Sequence, residues 1–175
     1  MEREKDLGIM RSSDVKSVEQ RMYAANRALG MIKRTISNKE PAIMVKLYKA
    51  LVRPHLEYCV SAWNPHYSKD KELLERVQRR FTKMVNGLGH SPKRLERLQL
   101  WSLEKRRNSS DLIEVFKMIR GYTKCEIGEF LILDQGCKGA RGHNSKLYKV
   151  RSNKEVIKHF FSRRVVERWN NLELD

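Results

Sequence analysis

Positive charge is the feature of this chain that is spaced to do chemistry. Its 175 residues hold 37 Lys and Arg against 21 Asp and Glu, a formal charge of +16. The excess is not confined to one tail. Arg76, Arg79, Arg80 and Lys83 share the polar side of one expected helix, Lys105, Arg106 and Arg107 open another, and Arg163, Arg164 and Arg168 lie on a last one. Glu72 and Glu75 precede Arg76 and Arg79 at the spacing of a helical ion pair, Asp111 does the same for Arg107 in reverse order, and Glu167 faces the last three. Arg79, Arg80, Lys83, Lys105, Arg106, Arg163 and Arg164 are the candidate phosphate contacts. Cations repeated on neighbouring helices suit an anionic polymer, so nucleic acid is the expected partner. The bland alternative is a solubilising surface. A membrane surface fits less well, because no helix joins a wholly basic face to an unburied apolar one.

Other chemistry is poorly served. Cys125, Cys137, His143 and His159 form no short Cys-x-x-Cys pair of the kind a zinc site uses. His55, His66 and His90 stand near Ser, Asp or Glu, but no nucleophile elbow and no His-Glu-x-x-His occurs. The aspartates Asp6, Asp14, Asp70, Asp111, Asp134 and Asp175 are scattered and no two acidic residues are adjacent, whereas two-metal phosphoryl transfer needs clustered carboxylates. The basic loop Lys138–His143 has no phosphate-binding-loop pattern and reads equally as a hairpin connection. The odd set Cys59, Cys125 and Cys137, with no secretion signal, points to a reduced, intracellular protein, nuclear or cytoplasmic, and Cys59 reads as core.

These cations need a scaffold, and the pattern predicts a helical one. The most apolar stretch is Lys46–Pro65, with Leu47, Tyr48, Leu51, Val52, Leu56, Val60 and Trp63 on one face and Pro54 imposing a kink near Arg53. Before it, Val15, Val18, Met22, Ala25, Leu29, Ile32 and Ile36 mark a helix capped by Ser13 or Asp14 and ending near Ser37. Ser37–Glu40 reads as a capping box with Pro41 in the next first turn. A third helix starts at Ser68, turns Leu73, Leu74, Val77, Phe81, Met84 and Val85 inward, and stops at Gly87 or Gly89. A short helix follows Ser91–Pro92, Leu100 and Trp101 pin the connection, and Ser102 caps a helix carrying Leu103, Leu112, Val115, Phe116 and Ile119 to Gly121. Phe130–Asp134 and Lys146–Arg151 read as two strands. Ser152–Glu155 reads as a second capping box before a final helix with Val156, Phe160, Phe161, Val165 and Trp169. The lead has one apolar patch, Leu7–Met10, expected as a strand with no partner.

The order of these phrases resembles a family. LYKALVRPHLEYCVSAWNPHYSKDKELLERVQRRFTKMVNGL, then RLERLQLWSLEKRRNSSDLIEVFKMIRG, RGHNSKLYKVR and FFSRRVVERWNNL, look like the C-terminal end of a non-LTR, LINE-type retrotransposon reverse transcriptase of the jockey superfamily. DLGIM and ANRALGMIKRTI fit the end of its palm and the start of its thumb. The resemblance spans nearly the whole chain. It implies a helical thumb that grips a template–product duplex in an RNA-directed DNA polymerase. The palm motif, an aromatic residue before Asp-Asp, is absent, so no catalytic residue carries over and the magnesium ligands of the parent enzyme have no counterpart.

The expectation is therefore a mainly α-helical bundle, thumb-like, with a small β-hairpin and a C-terminal helix. Residues 1–11 would be a palm-strand remnant, 12–121 the bundle, and 122–175 the hairpin and last helix. The expected function is non-catalytic gripping of an RNA or RNA/DNA duplex backbone, without cofactor, with a palm-containing polymerase in trans as a possible second partner and no membrane. The alternative is a protein-interaction module or an inert retroelement relic. Single-strand binding ranks lower, since no exposed aromatic stripe is expected.

Overall fold

A computed structural model describes residues 4–6, 9–11, 16–88, 93–134 and 145–172. Among them the chain is mainly helical. Two short strands, β1 (Glu4–Asp6) and β2 (Ile9–Arg11), precede the helices. They pair antiparallel, with Lys5 opposite Met10, so the expected lone strand has a partner in the charged lead itself. Leu7 and Gly8 lie outside the described residues, as do the proposed caps Ser13 and Asp14.

Helix α1 (Lys16–Thr35) carries the stripe that the periodicity predicts, with Val18, Ala25, Leu29 and Ile32 buried. At the next start, no side chain caps α2 (Pro41–Leu47); Asn38 Oδ1 accepts from Glu40 N–H at 3.2 Å instead. The capping box at Ser37–Glu40 is therefore not formed. Pro41 opens α2 with a φ that helices already need.

The α-helical pattern of the apolar rod is interrupted just before Pro54 and restarts at Arg53, where the sequence places the disturbance. Residues Tyr48–Val52 form a π turn, closed by Arg53 N–H donating to Tyr48 O, before α3 (Arg53–Glu57). Proline has no N–H to give, and widening the preceding turn accommodates that loss. Beyond α3 the chain leaves helical geometry at Tyr58, ψ 126°, and Cys59 follows with φ 54°. Cys59 is exposed, not core. Residues Val60–Trp63 form α4.

The long helix α5 (Ser68–Met84) buries Leu74, Val77 and Phe81, and Gly87 follows it at φ 76°. A single turn, α6 (Arg94–Arg97), leads to buried Leu98 and Leu100. Trp101 does not pin this connection with its ring, which is 59% exposed; its backbone does, the carbonyl accepting from Gln78 Nε2 at 3.0 Å. Helix α7 (Leu103–Ile119) is capped by Ser102, whose Oγ accepts from Lys105 N–H at 3.3 Å. Leu103 and Val115 are buried, whereas Phe116 faces outward.

Packing divides the chain into two compact units, residues 1–59 with 64–107, and residues 60–63 with 108–175. In the first, α1 packs along α5, α3 and the π turn. Its centre is Tyr48 stacked on Phe81, ring centroids 4.3 Å apart. In the second, Val115, Leu131, Leu147, Val165, Val166 and Trp169 form the core. One helical turn, α8 (Ile127–Phe130), precedes it. Phe130 therefore ends a helix and does not begin a strand. The expected hairpin is reduced to a single antiparallel bridge, Leu133 with Leu147. The loop 135–144 between them is outside the described residues.

The last helix is broken into α9 (Glu155–Lys158), α10 (Phe161–Arg164) and α11 (Val166–Asn170). Phe160 adopts extended geometry, ψ 152°, and its ring is exposed. That break reorients the chain so that Val165, Val166 and Trp169 reach the core, where Trp169 Nε1 donates to Ser145 O at 2.8 Å. The Ser152 hydroxyl bonds Lys154 O at 3.4 Å, and the Glu155 side chain of the expected capping box lies outside the described residues.

Candidate nucleic-acid interface

Two of the seven candidate cations meet in one place. Arg80 and Lys83 on α5 face Asn26, Leu29, Gly30 and Lys33 on α1 across a shallow groove of about 350 Å³. The helical period explains the grouping. Residues 26, 30 and 33 follow one face of α1, and 80, 83 and 84 one face of α5. Arg80 Nη1 donates to Asn26 Oδ1 at 3.0 Å, which steadies the guanidinium and leaves four of its five N–H donors. Lys33 and Lys83 are exposed. Among the described residues no acidic side chain lines this groove. Sequence reasoning missed Lys33 and Asn26, although Arg27, Lys33 and Arg34 crowd the polar side of the same helix.

The remaining candidates are engaged in other ways. Arg79 pairs with Glu72, not with Glu75, and Arg76 also approaches Glu72 at 3.8 Å. Glu75 instead accepts from Glu104 N–H at 3.0 Å at the start of α7. Burial pushes the Glu75 carboxyl above its usual range, while that hydrogen bond and the buried Arg107 charge pull it back. Lys105 is exposed and its ammonium has no partner among the described residues. Arg106 is not unpaired: it forks onto Glu57, Nε to Oε1 at 2.5 Å and Nη2 to Oε2 at 3.0 Å. This pairing holds its guanidinium charged more firmly than usual.

Arg164 is removed from the list. Its Nε and Nη2 each reach Asp111 at 2.9 Å, Nη2 also reaches the Val60 and Ser61 carbonyls at 3.2 and 3.0 Å, and Nη1 reaches His159 O at 3.2 Å. Its side chain is 12% exposed and that of Asp111 1%. A guanidinium bound this fully is structural. Arg163 is half-buried and donates Nη1 to Val150 O at 3.0 Å. Glu167, expected to balance the α10 and α11 arginines, pairs with Lys149.

Aromatic side chains are exposed after all. Tyr23, Tyr58, Tyr67, Trp101, Tyr122 and Tyr148 all present most of their surface to solvent, whereas the expectation concerned an aligned aromatic stripe. None lines the α1–α5 groove. Among the described residues no three His, Cys, Asp or Glu side chains converge in a way that would hold a metal ion, and no helix is long and apolar enough to cross a membrane. No family model, curated protein or solved structure matches this chain.

Proposed function

We propose that this chain binds nucleic acid through the phosphate backbone, without reading sequence and without catalysing nucleotide addition with its own residues. One observation carries the proposal: Lys33, Arg80 and Lys83 line a groove between two helices with no carboxylate among its described lining residues. Cations alone position a protein on a duplex but do not specify bases. Gly30 adds support. It sits inside α1, where glycine costs helix stability, and no heavy atom lies within 4 Å of the position a Cβ would take. Packing therefore does not require a glycine there, and a backbone bared toward the groove suits close approach by a phosphate chain.

Within that class we infer, from the resemblance of the sequence, a thumb-like part of a non-LTR, LINE-type retrotransposon reverse transcriptase, gripping an RNA or RNA/DNA duplex. A palm-containing polymerase supplied by another chain remains the partner this reading calls for. The test is a salt titration of binding to an RNA–DNA hybrid. Each phosphate contact contributes roughly 0.7–0.9 to the log–log salt slope, so Lys33→Glu, Arg80→Glu and Lys83→Glu should each flatten it. Absence of binding at low salt removes the proposal.

A further inference from the structure

The second unit holds a larger basic cavity that the grip does not use. It has a volume of about 630 Å³, within the range of ordinary small-molecule sites. Five of its lining residues are Lys or Arg and one is Glu. We propose that this cavity, built around Lys149, Arg151, Lys158, His159, Arg163 and Arg164, binds the phosphate group of a phosphorylated small molecule.

One wall is fixed before any ligand arrives. Arg164 is clamped by Asp111 and three backbone carbonyls, so that wall is rigid and its charge is compensated. Glu167 is occupied by Lys149, whose ammonium holds the carboxyl below its usual range. Among the described lining residues Glu167 is the one acid, and Lys149 is its partner. Arg163 ties the segment at Val150 to α10 through its Nη1. Its Nε is shielded from solvent and makes no hydrogen bond among the described residues. Excess charge and a guanidinium fork favour phosphate over a single carboxylate. Ser152 and Asn153 on the rim supply neutral hydrogen-bonding groups for the rest of the molecule.

Isothermal titration of the full chain with inorganic pyrophosphate and with adenosine triphosphate tests the site. Saturable binding is expected for both. Arg151→Glu with Lys158→Glu, both exposed positions, should weaken it roughly tenfold or more, the loss of at least one charge-assisted hydrogen bond, with an unchanged circular dichroism spectrum. Arg80→Glu with Lys83→Glu should leave it intact, which separates this site from the groove in the first unit. A 5′-phosphorylated trinucleotide binding more tightly than its 5′-hydroxyl form would place the phosphate on a strand end, and equal weak binding of the two would place it on a free nucleotide. No saturable pyrophosphate binding, or equal loss in both double variants, overturns the proposal.

Discussion

Replacing Arg164 should unfold the second unit at lower denaturant without altering nucleic-acid binding. Asp111 is 1% exposed, and two of its hydrogen bonds, each 2.9 Å, come from Arg164. Arg164→Met removes both of those hydrogen bonds from a buried carboxylate, a loss of about 3–5 kcal/mol. At this chain length each kcal/mol moves the melting midpoint by about 2–4 °C, so the fall should be roughly 6–20 °C. Arg164→Lys should fall almost as far, because one ammonium cannot serve Asp111 and the Val60, Ser61 and His159 carbonyls together. Arg164→Met with Asp111→Leu removes both charges and should be less damaged than the two single losses added together. Urea unfolding followed by tryptophan fluorescence reads this, since Trp169 is buried in the same core. A loss below about 1 kcal/mol in Arg164→Met, or strict additivity in the double variant, would refute the assignment of Arg164 to structure.

Three further outcomes follow from the first unit. Phe81→Ala removes the ring stacked on Tyr48 and should cost about 3–5 kcal/mol by chemical denaturation. Glu75 has a raised folded pKa, so the folded state takes up its proton first; the stability it lends is present below the ordinary carboxylate value of about 4.3 and is lost as pH rises through the raised one. Relative to Glu75→Gln, the wild type should therefore lose stability with rising pH across that window, and parallel curves would contradict it. Gly30→Ala should raise α1 stability by about 0.5–1 kcal/mol while weakening hybrid binding, and unchanged binding would remove the close-approach argument.

Local patterns were legible in the sequence and long-range pairings were not. The α1 stripe, the Ser102 cap and the disturbance at Pro54 each depend on neighbours within a turn or two, so spacing alone reveals them. Arg164 and Asp111 are 53 positions apart, and Arg106 and Glu57 are 49, so no local rule distinguishes these structural arginines from free ones. For the same reason Lys33 joined Arg80 and Lys83 only once α1 lay along α5. Cys59 reads as core because its neighbours are apolar, yet its positive φ interrupts the helix and turns it outward. Phe160 fits the helical period of the last segment, but the break at that residue exposes it and buries Val165 and Val166 together.

The decisive measurement is the salt dependence of RNA–DNA hybrid binding by the wild type, by Lys33→Glu/Arg80→Glu/Lys83→Glu, and by an Arg106→Gln control. The groove variant should lose about three contacts' worth of slope, roughly 2–3 log units per log unit of salt, and the control should match the wild type. Equal slopes for all three proteins, or no hybrid binding by the wild type at low salt, would contradict a backbone grip seated between α1 and α5.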